Sequence, residues 1–282
     1  MTKVHLTHIG SLPYTDFDQA LDFTFQFDIP VLFTLPKLDP TQQMHAQFVL
    51  PMQIGQIGEK TIILDEKKFL YSSDIFIPHY WNEFSKSLEN KHIKKFKFQL
   101  MGPVSFIKLV GDLDSLNITK QQIFERLSQI YANTLQVLSS NYDVLFFLDE
   151  PMFNTASHED INLFNKLVNN LNSLTRVEIG MHVCSKVESS TLNLVKIAIK
   201  NLDMNLYSSE ELQLFTGLNS WGTVNLSKIT HHYGMSQYVG SGELYITPSC
   251  GLAFDLIEDL SLVFSNLSSI KRYLLEQNTQ LA

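Results

Sequence analysis

The stretch that decides the fold is Val144-Leu145-Phe146-Phe147-Leu148-Asp149-Glu150-Pro151. Five apolar residues in a row are typical of a strand that is buried on both faces, as in a parallel sheet covered by helices. The two acids and the proline that follow mark the end of this strand. The stretch therefore predicts an α/β protein whose polar residues collect where the strands end.

The same pattern, an apolar strand followed by an amphipathic helix, recurs along the chain. Eight strands are predicted: Val4–Ile9, Ile29–Leu35, Phe96–Met101, Val144–Leu148, Val177–Cys184, Met204–Ser208, Trp221–Leu226 and Leu244–Pro248. The seventh connection, Ser227–Gly242, is weakly helical at best, and the segment Lys37–Ser73 is irregular with a short candidate strand at Ile62-Ile63-Leu64. This order predicts a single (β/α)8 TIM barrel over residues 1–282, with an irregular insertion after the second strand.

Composition excludes several classes of function. The chain carries 21 basic and 29 acidic residues, a net charge of −8, which argues against a nucleic-acid partner. No apolar run reaches the length of a membrane span, and the segment Met1–His5 lacks the features of a signal peptide. We therefore expect a cytoplasmic protein, in which the two cysteines stay reduced and can bind metal.

His182 and Cys184 form the most specific local pattern. Alternate strand residues share a face, so these two side chains are expected about 6.6 Å apart along one strand. Cys250 follows another predicted strand, and the ends of parallel strands converge in a barrel. One histidine and two cysteines are typical ligands of zinc in sites that keep a position open for substrate. The alternative is that both cysteines are inert buried side chains and that His182 is a satisfied core residue.

Two further strand ends have a structural and a functional interpretation. Asp149 and Glu150 can start a turn or helix, or they can hold a substrate ammonium group in the barrel mouth. The Ile9-Gly10-Ser11 stretch can be a simple turn, or its backbone amides can hold a carboxylate or phosphate. The residue types alone leave both alternatives open.

Eight short motifs occur in an order that resembles a known family. They are Thr7-His8-Ile9-Gly10-Ser11-Leu12-Pro13, Leu35-Pro36, Met44-His45-Ala46-Gln47-Phe48, Met101-Gly102-Pro103-Val104-Ser105, Leu148-Asp149-Glu150-Pro151, Gly180-Met181-His182-Val183-Cys184, Trp221-Gly222 and Pro248-Ser249-Cys250-Gly251-Leu252. Together they resemble the catalytic, C-terminal barrel of cobalamin-independent methionine synthase. The chain looks most like the short, single-barrel relatives grouped with uroporphyrinogen decarboxylase.

The resemblance implies a methyltransferase similar to 5-methyltetrahydropteroyltriglutamate–homocysteine S-methyltransferase. In that family a zinc ion binds the homocysteine sulfur and a folate supplies the methyl group. The resemblance assigns the metal to His182, Cys184 and Cys250. It assigns the amino-acid substrate to Ile9, Gly10, Ser11, Asp149 and Glu150, with Asp149 as the catalytic carboxylate.

The sequence departs from the family at the fourth zinc ligand, a glutamate after the sixth strand. The nearest acids here are Glu210 and Glu211, so either the glutamate has shifted to Glu210, or three protein ligands and water hold the metal, or the site is altered. The long synthases also carry a second, N-terminal barrel, whereas we expect a single barrel here. The partners are then a small thiol and a methyl donor, either a folate or a corrinoid protein. A barrel that binds a thiol or metal without turnover, and a homodimer, are left open.

Overall fold

The computed structural model describes residues 3–59, 61–111, 113–185, 187, 191, 194–195, 198–199, 201–205, 233–238, 243–248 and 250–280. An eight-stranded sheet lies at its centre, and the strands are β1 (Lys3–Leu6), β2 (Val31–Leu32), β5 (Lys95–Met101), β6 (Asp143–Asp149), β7 (Val177–Val183), β8 (Asn201–Asn205), β9 (Tyr233–Tyr238) and β10 (Glu243–Pro248). Their order in the sheet is β1-β10-β9-β8-β7-β6-β5-β2. A separate antiparallel pair, β3 (Gly55–Ile57) and β4 (Ile62–Leu64), lies within the predicted insertion.

Helices follow most of the strands and cover the sheet. They are α1 (Phe17–Thr24), α2 (Glu66–Tyr71), α3 (Trp81–Asn90), α4 (Pro103–Leu109), α5 (Lys120–Leu138), α6 (His158–Leu171) and α7 (Leu260–Gln280). The two longest well-capped helices begin at capping boxes, in which Thr119 starts α5 and Ser157 starts α6. Each cap satisfies backbone amides that the first turn leaves without partners. None of the described helices is long and apolar enough to cross a membrane.

Alternation along the strands separates two apolar clusters. In β6, Val144, Phe146 and Leu148 belong to the large core between sheet and helices. Leu145 and Phe147 belong instead to a small cluster on the other face, with Ile29 and Tyr245. We call the face that carries Leu145 and Phe147 the inner face and the face toward the helices the outer face. Because strand side chains alternate, Asp149 lies on the inner face and Glu150 on the outer face. The inner face carries the candidate site.

The mixed α/β class with a mostly parallel central sheet is confirmed. The strands β2, β5, β6, β7 and β8 pair in parallel, as do β1 and β10. The two ends of the strand order meet at a bridge between Ser11 and Thr34, where the Thr34 amide donates to the Gly10 carbonyl. This contact brings the end of the first strand against the end of the second.

One strand of the sheet departs from the all-parallel order of a (β/α)8 barrel. β9 runs antiparallel to both neighbours, β8 and β10. Only four residues, 239–242, separate β9 from β10, whereas a parallel crossover needs a dozen or more. The strand also lies within the connection 227–242, which the sequence pattern described as weakly helical. The predicted seventh strand, Trp221–Leu226, lies outside the described residues.

Candidate metal and substrate site

His182, Cys184 and Cys250 come together at one end of the sheet. Their ligand atoms all lie within 4.8 Å of one another. His182 is buried on β7, Cys184 follows this strand and is half-buried, and Cys250 follows β10 and is exposed. The convergence predicted from the sequence therefore occurs in the structure. The three side chains offer the donor set of a metal site that opens toward solvent.

The imidazole of His182 is unusual for a buried polar group. Neither ring nitrogen makes a hydrogen bond with the described residues, although both are shielded from solvent. Nδ1 lies 3.5 Å from Oδ2 of Asp203, an ion-pair distance. Buried polar atoms are costly unless they have a partner, so a histidine left in this state points to a ligand that the ring binds.

The two sulfurs and the imidazole shift one another's pKa values. Burial lowers the pKa of His182, but Asp203 and Cys250 raise it by more, so the pKa is about 10. The neighbouring Cys184 thiol and His182 imidazole lower the pKa of the Cys250 thiol to about 4. The same Cys184–Cys250 contact, together with burial, raises the pKa of Cys184. At neutral pH the cluster thus holds a thiolate, the form of cysteine that binds metals.

A buried charge network lies behind His182. Asp203 is the direct neighbour of His182 across the β7–β8 pair and is fully buried. Its two carboxylate oxygens accept from the Thr247 hydroxyl at 3.1 and 3.0 Å. Lys97 is also fully buried, and burial lowers its pKa to about 8 against the opposing charges of Asp203 and Asp149.

Sequence reasoning missed Asp203, Lys97 and Thr247. The signal was present for the first two, since each is a charged residue between apolar neighbours within a strand, in Phe96-Lys97-Phe98 and Leu202-Asp203-Met204. Charges are almost never fully buried unless they are paired. Thr247 has no such signal, because threonine is common in strands.

Asp149 lies on the inner face at the end of β6. Its register partner on β7 is His182, which places the carboxylate beside the metal-ligand cluster. The Gln99 amide donates to Asp149 Oδ1 at 2.5 Å. Burial raises the pKa of Asp149 to about 6, against the opposing influence of His182 and Lys97. The group is mainly ionised at neutral pH and suits a cationic part of a substrate.

The Ile9-Gly10-Ser11 turn lies against the segment that carries Cys250. The Leu252 amide donates to the Ser11 carbonyl at 2.9 Å. Gly251 lies close to Ser11, because a Cβ added at Gly251 would overlap the Ser11 hydroxyl oxygen. The Gly10 amide already has a protein partner, since it donates to Gln99 Oε1 at 3.3 Å. The turn therefore borders the site, but the Gly10 amide is not the free donor that the sequence suggested. Ile9 is itself buried, so its side chain can offer a substrate only an apolar wall.

The assignment of Glu150 to substrate binding needs correction. Glu150 is fully buried on the outer face of β6. Its carboxylate accepts from the backbone amides of Val104 at 2.9 Å and Ser105 at 2.7 Å, in the first turn of α4. Gly102 permits this approach, because an added Cβ there would overlap the Glu150 carboxylate. Strand alternation therefore gives the two adjacent acids different partners, and Glu150 joins β6 to α4.

The candidate fourth metal ligand, Glu210, lies outside the described residues, as does Glu211. The described part of the chain contributes the histidine and both cysteines of the predicted set, with Asp149 and the turn beside them.

Comparison with known proteins places the chain in a family. Residues 72–222 match the family described as "Cobalamin-independent synthase, N-terminal domain". The chain belongs to this family. The match includes His182 and Cys184 but ends before Cys250. Its description names the N-terminal domain, whereas the motifs quoted above resemble the C-terminal barrel.

A solved structure has a similar fold over nearly the whole length of both chains. It is the B12-independent methionine synthase from Shewanella sp. W3-18-1 in complex with selenomethionine. The TM-score is 0.61 at 13% identity, and the alignment covers 98% of this chain and 99% of that chain. No curated protein matches the sequence. At this identity the likeness establishes the fold, and the chemistry must be argued from the site of this chain.

Proposed function

We propose that this protein is a zinc-dependent methyltransferase that transfers a methyl group to the sulfur of homocysteine and so forms methionine. The observation that carries the proposal is the convergence of His182, Cys184 and Cys250 within 4.8 Å, in which neither imidazole nitrogen makes a hydrogen bond with the described residues. Asp149 lies beside this cluster and supplies a fixed anion for an amino-acid substrate. Membership of the cobalamin-independent synthase family supports the same reaction class.

The residues fit zinc by their chemistry. One imidazole and two sulfurs are soft and borderline ligands of the kind that zinc prefers. Three protein ligands leave a coordination position for a substrate, as catalytic zinc sites do. Zinc bound here would lower the pKa of the acceptor thiol and hold it as a thiolate at neutral pH. Whether Glu210 adds a fourth ligand in the resting state is part of the experiment below.

The surrounding side chains orient the ligands and the substrate. Asp203 lies on the Nδ1 side of His182, so Nε2 would be the nitrogen that holds a metal. A carboxylate in this position fixes the ring and its tautomer. Asp149 attracts the substrate ammonium group, because an ionised acid in a buried setting is strongly favoured by a cationic partner. Ser11, beside Gly251, places the turn where it can contact the substrate carboxylate.

We also propose that residues 1–282 form one domain whose sheet closes into a barrel. The bridge between Ser11 and Thr34 supports closure, since it joins the two ends of the strand order. A closed sheet would gather the strand ends around Asp149, His182 and Cys250. The family description, cobalamin-independent, favours a folate over a corrinoid protein as methyl donor.

The test is metal analysis followed by a transfer assay. Purified protein is analysed for zinc by plasma emission and then incubated with homocysteine and 5-methyltetrahydrofolate, in its monoglutamate and triglutamate forms. We expect about one zinc per chain and methionine as the product. The matched comparison is Glu210→Gln, which loses zinc only if Glu210 is a ligand. A zinc-loaded protein that makes no methionine with either folate would contradict the proposed reaction.

A further inference from the structure

Gln99 joins the two elements assigned to the amino-acid substrate. Its side chain lies on β5 and is only 4% exposed. The amide nitrogen donates to Asp149 Oδ1 at 2.5 Å, and the amide oxygen accepts from the Gly10 backbone at 3.3 Å. One planar group therefore connects the carboxylate at the end of β6 to the turn that follows β1.

The residue type suits this position. Asp149 in its ionised form can only accept a hydrogen bond, and a backbone amide can only donate one. A glutamine offers one donor and one acceptor from the same group, so both contacts define which way the amide faces. The reversed amide would place two acceptors together and two donors together. Glutamate would keep the contact with Gly10 but would place a second carboxylate beside Asp149.

Lys97 makes a second link of the same kind. It precedes Gln99 by two residues, so both side chains lie on the inner face of β5. The Lys97 ammonium donates to the His8 carbonyl at 3.0 Å, while Gln99 reaches Gly10 two residues further along. β5 and β1 are not neighbours, because β2 lies between them where the strand order closes. The two links therefore hold the end of β1 from across the interior of the sheet.

We propose that Gln99 is a positioning residue that gives the site its preference for a thiol bearing an amino group. It holds Asp149 by one carboxylate oxygen and leaves the other oxygen for the ammonium group of the substrate. It also keeps the Ile9-Gly10-Ser11 turn at a constant distance from that carboxylate. This inference rests on the proposed function, because it takes Asp149 as the partner of the amine.

The experiment compares two thiols that differ only in the amino group, homocysteine and 4-mercaptobutyrate. Dissociation constants are measured by calorimetry on the zinc-loaded full chain, for wild type, Gln99→Met and Gln99→Glu. Gln99→Met keeps the volume and removes both hydrogen bonds, whereas Gln99→Glu keeps the acceptor for Gly10. Gln19→Met, on the exposed face of α1, is the matched control.

We expect Gln99→Met to weaken homocysteine about tenfold, the scale of one hydrogen bond to a charged group. Binding of 4-mercaptobutyrate and the zinc content should stay within about twofold of wild type, as expected for a thiol that makes no contact with Asp149. Gln99→Glu should also lose the preference for homocysteine. The glutamate keeps the acceptor for the Gly10 amide, but its carboxylate cannot donate a hydrogen bond to Asp149. The control should match wild type with both thiols.

The outcomes separate this inference from the proposed function. A wild-type protein that binds both thiols equally overturns the amino-acid acceptor, and the inference about Gln99 with it. A wild type that prefers homocysteine, with Gln99→Met and Gln99→Glu variants that keep the same preference, overturns the role of Gln99 alone. Equal weakening of both thiols, or loss of zinc in both variants, also overturns it, because that is the result expected of a residue that only supports the fold.

Discussion

The two sides of the candidate site differ in how their polar atoms are satisfied. On the carboxylate side, Asp149 and the Gly10 amide are both bound by Gln99. On the sulfur side, the His182 ring nitrogens have no hydrogen-bond partner among the described residues. Polar groups that bond to one another within the protein form a rigid surface. Buried polar groups that have no hydrogen-bond partner in the protein indicate a binding site for a ligand. This difference supports the proposal that the first side recognises the substrate and the second side binds the metal.

Removing a sulfur should have the largest effect. Cys250→Ser is expected to weaken zinc binding by more than about 100-fold, since loss of an outer partner alone costs about 10–100-fold. The fold should survive, because Cys250 is exposed and follows β10. Plasma emission on dialysed protein measures the zinc, and circular dichroism checks the fold. His158→Gln, an exposed histidine at the start of α6, is the control that keeps the metal. Stoichiometric zinc in a Cys184/Cys250 double variant would remove the sulfur side from the proposal.

Neutralising the carboxylate side should have the next largest effect. Asp149→Asn keeps the shape of the side chain and removes its charge. It is expected to weaken the binding of homocysteine by roughly 2–4 kcal/mol, as for one partner lost from a buried charged pair. Binding of 4-mercaptobutyrate should change little, because it has no amine. In wild type the preference for homocysteine should disappear as the pH falls through about 6, where Asp149 gains a proton. Calorimetry at several pH values measures both effects.

Asp143→Asn is the matched control for that experiment. Asp143 lies at the other end of β6 and forms a surface pair with Arg176. If Asp149→Asn weakens both thiols equally, Asp149 is structural. If it weakens neither, the acceptor is not an amino acid.

The residue behind the metal ligand should have a smaller effect. Asp203→Asn removes the charge that faces His182 and is expected to weaken the binding of zinc by about 10–100-fold. Thr247→Val removes only the hydrogen bond to Asp203, and it should reduce the free energy of zinc binding by about 1 kcal/mol. Competition with a chelator measures both affinities. An Asp203→Asn protein with wild-type zinc affinity would show that the imidazole needs no carboxylate to orient it.

Glu150 should affect stability alone. Burial raises its pKa to about 8, so between about pH 4.3 and 8 the folded protein holds a proton that the unfolded chain has released. Stability contributed by this group is therefore complete at low pH and is lost as the pH rises toward 8, at up to about 1.4 kcal/mol per pH unit. Glu150→Gln should lack this slope and should keep zinc and thiol binding.

Urea unfolding at several pH values measures the difference, with the exposed Glu83→Gln as control. Identical slopes in wild type and Glu150→Gln would mean that the amides of α4 keep Glu150 ionised across this range.

Residue pattern alone was sufficient for most of the strands and for the two sides of the site. Hydrophobic runs located β5, β6, β7 and β10 to within one residue at most ends, because strands buried on both faces leave no alternative. Spacing placed His182 and Cys184 on one face of one strand. The predicted convergence of strand ends joined Cys250 and Asp149 to them, and the family resemblance then implied a role for each.

Only the tertiary structure decided which residues act together. Asp149 and Glu150 are adjacent and chemically alike, yet the direction of the sheet relative to its helices sends one to the site and the other to α4. The antiparallel β9 and the contacts of Lys97, Gln99 and Asp203 were also beyond the pattern. The hydrogen bonds among these contacts join residues 44–89 positions apart, and hydrophobic periodicity carries no information about such distant partners.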